Sequence, residues 1–237
     1  MPTSATGLLV RPDGPVAYEP AFEAMHELAA LRLRGEIPDT LILLEHAPVF
    51  TAGRRSKPDH VRWDPEVMRE AGAEFHEVDR GGSVTFHGPG QLVGYPIVDL
   101  GARPDVAGYV SRLEETVIRA AADIGVRLDH PVGEQTGVWA GREKVCAIGV
   151  RVMRARVTLH GFALNCRTDL SWFEAIVPCG LHDRGVTSLS RVAGRDVTVE
   201  EMAPLIAGRF QDVFGVRLVD ADESLTRPFA RPAVVAG

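Results

Sequence analysis

The chain has little cysteine, few aromatic residues and no long apolar run. Its three cysteines, an odd number without C-x-x-C spacing, make no disulfide framework and indicate a reducing compartment, the cytoplasm. No uninterrupted apolar stretch approaches the roughly 18 residues of a membrane span. Residues 1–14 lack the basic and apolar parts of a signal peptide. We therefore expect a cytoplasmic protein with no membrane-bound part.

The sequence also lacks an excess of positive charge. A formal net charge of −6 argues against non-specific binding of nucleic acid, which needs a basic surface. The same charge leaves acidic protein partners open, provided that the surface carries a local basic patch. Apolar residues make up 45% and charged residues 24% of the chain, which is typical of a globular protein.

Periodicity predicts helices and strands without strict alternation. Apolar residues recur at helical spacing in residues 20–34, which predicts a helix that Gly35 terminates. The same spacing after Asp105 predicts a second long helix with Asp105 as its N-cap. Thr198 and Glu201 have the spacing of a capping box ahead of a third helix. Apolar runs predict strands at residues 40–45 (a central strand), 92–100, 143–152 and 156–166. The sequence therefore predicts an α+β fold with a mixed or antiparallel central sheet and flanking helices.

The composition shows no strong domain boundary, so we expect a single domain over residues 1–237. A small appended lobe from about residue 186 is the alternative. Residues 221–237 are rich in proline and alanine and predict a poorly ordered tail.

Cys179 is the predicted nucleophile. Pro178 before it fixes φ, and Gly180 after it adopts angles that other residues avoid, so the cysteine is held in a turn. Reactive cysteines are partly exposed in loops, whereas structural ones are buried and inert. Cys146 and Cys166 lie in apolar, strand-like runs and fit the second class.

Residues 80–91 are rich in glycine and contain the side-chain donors Arg80, Thr85 and His87. Four glycines in twelve residues allow close approach of the backbone to a ligand. The segment is neither a P-loop, which ends in Gly-Lys-Ser/Thr, nor a dinucleotide fingerprint. A β-hairpin with a tight turn fits the same spacing equally well.

Three further polar residues stand on predicted strands. Lys144 begins an apolar strand, where a partly buried amine can activate a thiol, although a solvated strand-edge lysine is the usual alternative. Gly161 interrupts the strand after His160 and predicts a bulge or a close ligand approach. By themselves, His160 is more often a core histidine and Asn165 a turn former. His87 and His160 lack the short spacing of metal ligands, so we expect no metal.

Four strings together resemble a known family. Residues 80–96, 137–152, 159–166 and 176–180 are similar, in the right order and spacing, to the lipoyl(octanoyl) transferases of lipoate synthesis. The resemblance runs from about Leu41 to Ser190, which we take as the catalytic core. It implies a fold similar to the catalytic domain of biotin and lipoate protein ligases.

The resemblance also implies an activity, its partners and its site residues. The enzyme would move an octanoyl or lipoyl group, without a cofactor, from acyl carrier protein to a lysine of a lipoyl domain. The acceptors would be the lipoyl domains of 2-oxoacid dehydrogenase complexes and the glycine cleavage H protein. Cys179 would take the acyl group, and Lys144 would lower the pKa of its thiol. The acyl pocket would comprise Arg80, Gly81, Gly82, Ser83, Val84, Thr85, Phe86, His87, Ala147, Ile148, Gly149, Gly161, Phe162 and Ala163, with His160, Asn165 and Tyr95 in support.

This chemistry needs no ATP, which agrees with the lack of a P-loop. Thiol attack on a thioester is close to energy-neutral, and amine attack on the resulting enzyme thioester is downhill. Three rivals remain. An ATP-dependent lipoate or biotin ligase would adenylate a free acid and would not need Cys179. A cysteine hydrolase would pair Cys179 with His87 or His160. A binding module would hold an acyl or phosphopantetheine group without catalysis.

Overall fold

The computed structural model describes residues 5–130, 136–177 and 185–230. Its α-helices are α1 (Tyr18–Arg34), α2 (Pro65–Glu70), α3 (Val106–Asp123), α4 (Leu189–Ala193), α5 (Val199–Phe214) and α6 (Glu223–Thr226). Its strands are β1 (Ala5–Val10), β2 (Pro15–Val16), β3 (Thr40–His46), β4 (Val49–Ala52), β5 (Glu74–Glu77), β6 (Val84–His87), β7 (Gln91–Ile97), β8 (Val138–Ala140), β9 (Glu143–Met153), β10 (Val157–Asn165), β11 (Gly185–Val186) and β12 (Val216–Asp220). Short 3-10 turns cover Pro58–His60, Leu170–Ala175 and Arg227–Ala230.

The main sheet is mixed, with strand order β11-β9-β10-β7-β3-β1-β12, while β2 pairs with β3 and β8 with β9. The central strands β3, β7, β10 and β9 are antiparallel. Parallel pairs, β1 with β3, β1 with β12 and β11 with β9, lie towards the edges. The α+β fold with a mixed central sheet is therefore confirmed, and so is the central position of β3.

A second sheet of three strands, in the order β5-β4-β6, stands beside the main one. Strand β6 pairs with β4, whereas β7, which follows it after three residues, pairs with β3 and β10. The β-hairpin reading of residues 80–91 is therefore wrong. The glycines at this point carry the chain from one sheet to the other.

Helices cover both faces of the main sheet. On one face α3 and α5 bury the larger core, which includes Leu113, Val117 and Phe210. On the other face α1 buries a second core through Met25 and Leu28. A third, smaller core lies against the second sheet. The site described below occupies the α1 face, at the junction of the two sheets.

The predicted helix ends are largely correct. Asp105 caps α3 by accepting a hydrogen bond from the Gly108 N–H (2.8 Å), and Gly35 ends α1 with a φ of 76°. Thr198 accepts from the Glu201 N–H (3.2 Å) at the start of α5. The Glu201 carboxylate, however, accepts from Arg195 and does not return to the cap, so the capping box is only half formed.

The C-terminal segment belongs to the same core as the rest of the described chain. Strand β12 pairs with β1, and α5 packs against α3. Residues 223–230 form α6 and a 3-10 turn, and Phe229 is only 1% exposed in the α1 core. Phe229 thus supplies an apolar anchor within the segment for which we predicted a poorly ordered tail. Residues 231–237 lie outside the described residues.

None of the helices in the described ranges is long and apolar enough to cross a membrane.

We expect Phe229→Ala to lower the free energy of unfolding by about 3–4 kcal/mol, because it leaves a cavity in a buried core. Denaturant unfolding followed by circular dichroism measures this. Val192→Ala, at a side chain that is 39% exposed, is the control and should change stability by less than about 1 kcal/mol. An equal, small effect of both changes would contradict the docking of the C-terminal segment on α1.

Candidate functional site

A cavity of about 350 Å³ lies between the α1 face of the main sheet and the second sheet. Strands β9 and β10 form one side, and the loop from Arg80 to Ser83 forms another. The residues that line it are Tyr18, Arg55, Lys57, His60, Arg80, Gly82, Ser83, Val84, Thr85, His87, Tyr95, Thr136, Lys144, Ala147, Ile148, Gly149, His160, Gly161, Phe162 and Ala163.

Small residues from two neighbouring strands form a trough in this cavity. Ala147 lies directly opposite Ala163, and Gly149 lies opposite Gly161, in the antiparallel pair β9 and β10. Directly paired residues point to the same face of a sheet, so these four positions leave a channel without large side chains. Ala147 and Gly149 are three and five residues from Lys144, or about 10 and 16 Å along the strand.

The loop above the trough lies close to β9. The Gly81 N–H donates to the Val150 carbonyl (3.0 Å), and a Cβ at Gly149 would come within 2.8 Å of the Gly81 carbonyl oxygen. A side chain at position 149 would therefore push the loop away. Glycine is needed here because of this close backbone approach.

Arg80 fixes the loop to the second sheet. Its guanidinium is buried and donates to the carbonyl (2.6 Å) and hydroxyl (2.8 Å) oxygens of Thr51. It also donates to the carbonyl oxygens of Ser83 (2.8 Å) and Gly81 (3.0 Å). Its main contribution is therefore to shape the wall of the cavity.

His87 joins a chain of buried hydrogen bonds that runs across three strands. Its Nδ1–H donates to Gln91 Oε1 (2.8 Å), because the Gln91 amide nitrogen donates to Asn165 Oδ1 (2.9 Å). The Asn165 amide donates in turn to the Thr187 carbonyl (3.0 Å). Burial holds the pKa of His87 well below its usual range, so the ring is neutral. Its Nε2 lies 3.3 Å from the Thr51 hydroxyl and accepts from it.

His160 is a second buried, neutral histidine. Its φ of 58° lies in the left-handed region although β10 continues through it, and the carboxylate of Asp79 accepts a hydrogen bond from its Nε2 (2.8 Å). Burial, reinforced by the nearby Arg80 charge, lowers the pKa of His160 to about 3. Strand β10 keeps its register with β9 through residues 159–162, so the predicted bulge is absent, and the contact of His160 with Asp79 is a hydrogen bond of a neutral ring.

Lys144 is 7% exposed, so it is not the solvated strand-edge lysine of the alternative reading. Its Nζ donates to the Thr136 carbonyl (3.0 Å) and lies 4.7 Å from the centre of the Trp139 ring. Both contacts stabilise a cation. Its backbone carbonyl accepts from the Thr187 N–H (2.9 Å), which connects Lys144 to the chain of hydrogen bonds that begins at His87.

Cys179, the predicted nucleophile, lies outside the described residues. The described residues on either side of it contact residues that line the cavity. The Val177 N–H donates to the His60 carbonyl (2.8 Å), and Gly185 and Val186 pair with Glu143 and Lys144. The other two cysteines, Cys146 and Cys166, are buried, and burial raises the pKa of both thiols.

The structure brings most of the predicted pocket residues together, with three exceptions. Gly81, Phe86 and Asn165 do not line the cavity. The Phe86 ring stacks on Trp172 in the third core at a centroid distance of 5.2 Å, and Asn165 serves the hydrogen-bonded chain described above. Gly81 is turned to the Val150 backbone.

Sequence reasoning missed Tyr18, Arg55, Lys57, His60 and Thr136, which also line the cavity. For Lys57 there was a signal in the composition. Lysine occurs twice in the whole chain, as Lys57 and Lys144, and arginine supplies the other basic residues. Both lysines border the same cavity. Tyr18, Arg55, His60 and Thr136 lie outside the glycine-rich and strand motifs. Only tertiary contacts bring these four residues to the cavity.

One group of potential metal ligands stands out among the described residues. Side-chain atoms of His26, Asp79 and His160 lie within 4.8 Å of one another. The Asp79 carboxylate is already paired with Arg151 and His160. An arginine in contact with the carboxylate opposes a cation at this position.

Comparisons of the sequence with known proteins identify a family and similar relatives. The family model described as the lipoyl protein ligase A/B catalytic domain matches residues 17–211. The octanoyltransferase of Mycobacterium marinum is 51% identical over 214 residues, which covers 86% of this chain and 87% of the relative. That of Acidothermus cellulolyticus is 50% identical over 204 residues, which covers 84% of this chain and 88% of the relative.

Solved structures share the fold at low identity. Lipoate-protein ligase A bound with ATP superposes with a TM-score of 0.75 at 17% identity, covering 94% of this chain and 93% of the other. Biotin protein ligase from Aquifex aeolicus, in complex with biotin and ATP, superposes with a TM-score of 0.55 at 11% sequence identity. The match covers 87% of this chain and 69% of the ligase. These likenesses establish the architecture, and the sequence matches establish the relationship. The chain belongs to the lipoyl protein ligase A/B catalytic domain family.

Proposed function

We propose that this chain is an octanoyltransferase of lipoate biosynthesis. It takes an octanoyl group from acyl carrier protein and transfers it to the ε-amino group of a lysine on a lipoyl domain. The observation that carries the proposal is the trough of small residues that starts near Lys144 and runs under the Arg80–Ser83 loop. Proteins named octanoyltransferase that are about half identical to this chain support it.

The reaction proceeds through a thioester on Cys179. The thiolate attacks the carbonyl carbon of the donor thioester, the bond to the carrier sulfur breaks, and the carrier leaves as a thiol. The acceptor amine then attacks the enzyme thioester, the bond to the Cys179 sulfur breaks, and an amide forms. The first step is nearly neutral in energy and the second is downhill, so neither needs ATP.

Lys144 supplies positive charge beside the thiol. Its amine is held by the Thr136 carbonyl, and its strand pairs with Val186, seven residues after Cys179. Val177, two residues before Cys179, is bonded to His60 in the same cavity, and two residues of chain span at most about 7 Å. An ammonium close to a thiol favours the thiolate. It then exchanges a proton with the incoming amine.

The trough suits an acyl chain. Ala147, Gly149, Gly161 and Ala163 leave room for methylene groups and offer no charge. Each buried methylene contributes about 0.8 kcal/mol, so the length of the trough selects the length of the acyl group. The cations at its rim stay at the polar end, where the thioester lies.

A hydrolase fits less well. A cysteine hydrolase needs a histidine that is free to accept the thiol proton. Both ring nitrogens of His87 are engaged, by Gln91 and Thr51, and burial lowers its pKa. His160 is bonded to Asp79, and its pKa is about 3. Both rings are therefore weak bases in this site.

An ATP-dependent ligase shares the fold, so the fold does not distinguish the two activities. The two activities differ in whether they require ATP and Cys179. The cytoplasmic location and the choice among lipoyl-domain acceptors remain predictions.

We expect octanoyl-loaded acyl carrier protein to add one octanoyl group to the protein without ATP, and Cys179→Ser to abolish this adduct. Intact-mass spectrometry measures both, and hydroxylamine should release the group because it is a thioester. Cys166→Ser, at a buried thiol, is the matched control and should keep the adduct. Loss of donor without an adduct would point to the hydrolase, and a requirement for ATP would point to the ligase.

We expect Lys144→Met to raise the pKa of the Cys179 thiol, because the positive charge beside it is removed. The pH profile of alkylation by iodoacetamide measures the thiol pKa. Lys144→Arg keeps the charge and should shift the profile much less. Coincident profiles for wild type and Lys144→Met would remove Lys144 from the activation of the thiol.

We expect Ala147→Leu to shorten the acyl group that the enzyme accepts, because the larger side chain fills the trough. Displacing roughly three methylenes at about 0.8 kcal/mol each lowers the preference for octanoyl over butyryl donors by roughly tenfold or more. The ratio of kcat/KM for the two donors measures it. Ala147→Ser, which is similar in size to alanine, should leave the ratio unchanged. An unaltered ratio in Ala147→Leu would place the acyl chain elsewhere.

A further inference from the structure

The rim of the cavity carries a concentration of positive charge in a negatively charged protein. Residues 54–63, here called the basic segment, contain Arg54, Arg55, Lys57 and Arg62 and one acidic residue, Asp59. With histidine neutral, four positive charges and one negative charge make the segment +3. Since the whole chain is −6, the remainder carries −9.

These four cations are exposed and make no ion pair within the described part of the chain. All four side chains are exposed. No carboxylate of residues 5–130, 136–177 or 185–230 lies within 4.0 Å of them, whereas many arginines elsewhere, such as Arg32, Arg195 and Arg209, are paired. Charge that is left unpaired and clustered is available to a partner.

The backbone of the basic segment is fixed. The Arg54 N–H donates to the Arg80 carbonyl (3.0 Å), and the Arg55 N–H donates to the Gly82 carbonyl (3.0 Å). At the other end the Arg62 N–H donates to the Ala175 carbonyl (2.9 Å), close to the residues that lead to Cys179. The segment thus presents its charge in a defined place between the loop of the cavity and the chain that carries the nucleophile.

The four cations divide into two groups. Arg55 and Lys57 line the cavity together with Lys144, so they border the path of any group that enters it. Arg54 and Arg62 are exposed and do not line it. An incoming partner with one anion on its reactive arm and further anions on its surface would match both groups.

We propose that the basic segment is the docking surface for the acyl donor, an acidic carrier protein whose acyl group rides on a phosphodiester-linked thiol arm. Arg54 and Arg62 contact carboxylates of the carrier, and Arg55 and Lys57 contact the phosphodiester of its arm. This rests on the proposed function. The charge favours the donor over the acceptor, because the acceptor delivers a lysine amine, a cation before it reacts, which the same segment repels.

The experiment measures acylation of Cys179 by three octanoyl donors in single-turnover assays, without acceptor. The donors are the octanoyl carrier protein, octanoyl-phosphopantetheine and octanoyl-pantetheine, which differ stepwise by the protein and the phosphate. The variants are Arg54→Glu with Arg62→Glu, and Arg55→Gln with Lys57→Gln. Arg217→Glu, exposed on β12 and five strands from β9 at about 4.8 Å each, is the charge-reversal control.

We expect Arg54→Glu with Arg62→Glu to lower the rate ratio of carrier to octanoyl-phosphopantetheine by at least tenfold at low salt. The deficit should shrink as salt rises, since exposed charges are screened. Arg55→Gln with Lys57→Gln should lower the ratio of octanoyl-phosphopantetheine to octanoyl-pantetheine at least fivefold. Arg217→Glu should leave both ratios unchanged.

Unchanged ratios in both double variants would overturn the docking surface, and so would equal losses with all three donors, which would mean a general effect on the cavity. A loss confined to transfer onto the lipoyl domain would assign the basic segment to the acceptor and overturn the proposal. A wild-type protein that no donor acylates would instead overturn the proposed function.

Discussion

The buried guanidinium of Arg80 holds the two sheets in the relation that creates the cavity. It donates to oxygens of Thr51, Gly81 and Ser83, so one side chain joins β4 to the loop that covers the trough. A buried cation needs such acceptors, since an unpaired charge in the interior is very costly. Three carbonyl oxygens and one hydroxyl oxygen accept from it. Its remaining positive charge contributes to the low pKa values of His87 and His160.

The site separates charge from apolar space as a result. The trough of Ala147, Gly149, Gly161 and Ala163 carries no charge, while Lys144 and the segment with Arg55 and Lys57 contact the described residues that flank Cys179. An acyl thioester has the same division, with an apolar chain at one end and a polar reacting centre at the other. The chain of hydrogen bonds from His87 to Thr187 runs between these regions. It connects the wall to the backbone of Lys144.

The architecture is shared with ligases that use ATP, so the chemistry depends on a few residues and not on the fold. In the proposed reaction the acyl group arrives already activated as a thioester. A cysteine and an ammonium then suffice, and the enzyme has no need to bind a nucleotide. In the proposed reaction the basic segment would bind an acidic donor protein and not a nucleotide.

Local patterns in the sequence determined the central strands and the long helices, because periodicity and caps act over a few residues. The resemblance of four strings to a known family implied the grouping of the glycine-rich loop with Lys144 and residues 147–149 and 161–163. Tertiary structure decided the rest. It sent β6 and β7 into different sheets, turned Phe86 into the third core, and docked Phe229 on α1. It also brought Tyr18, His60 and Thr136 to the cavity. These outcomes depend on contacts between residues far apart in the chain, and no local propensity encodes such contacts.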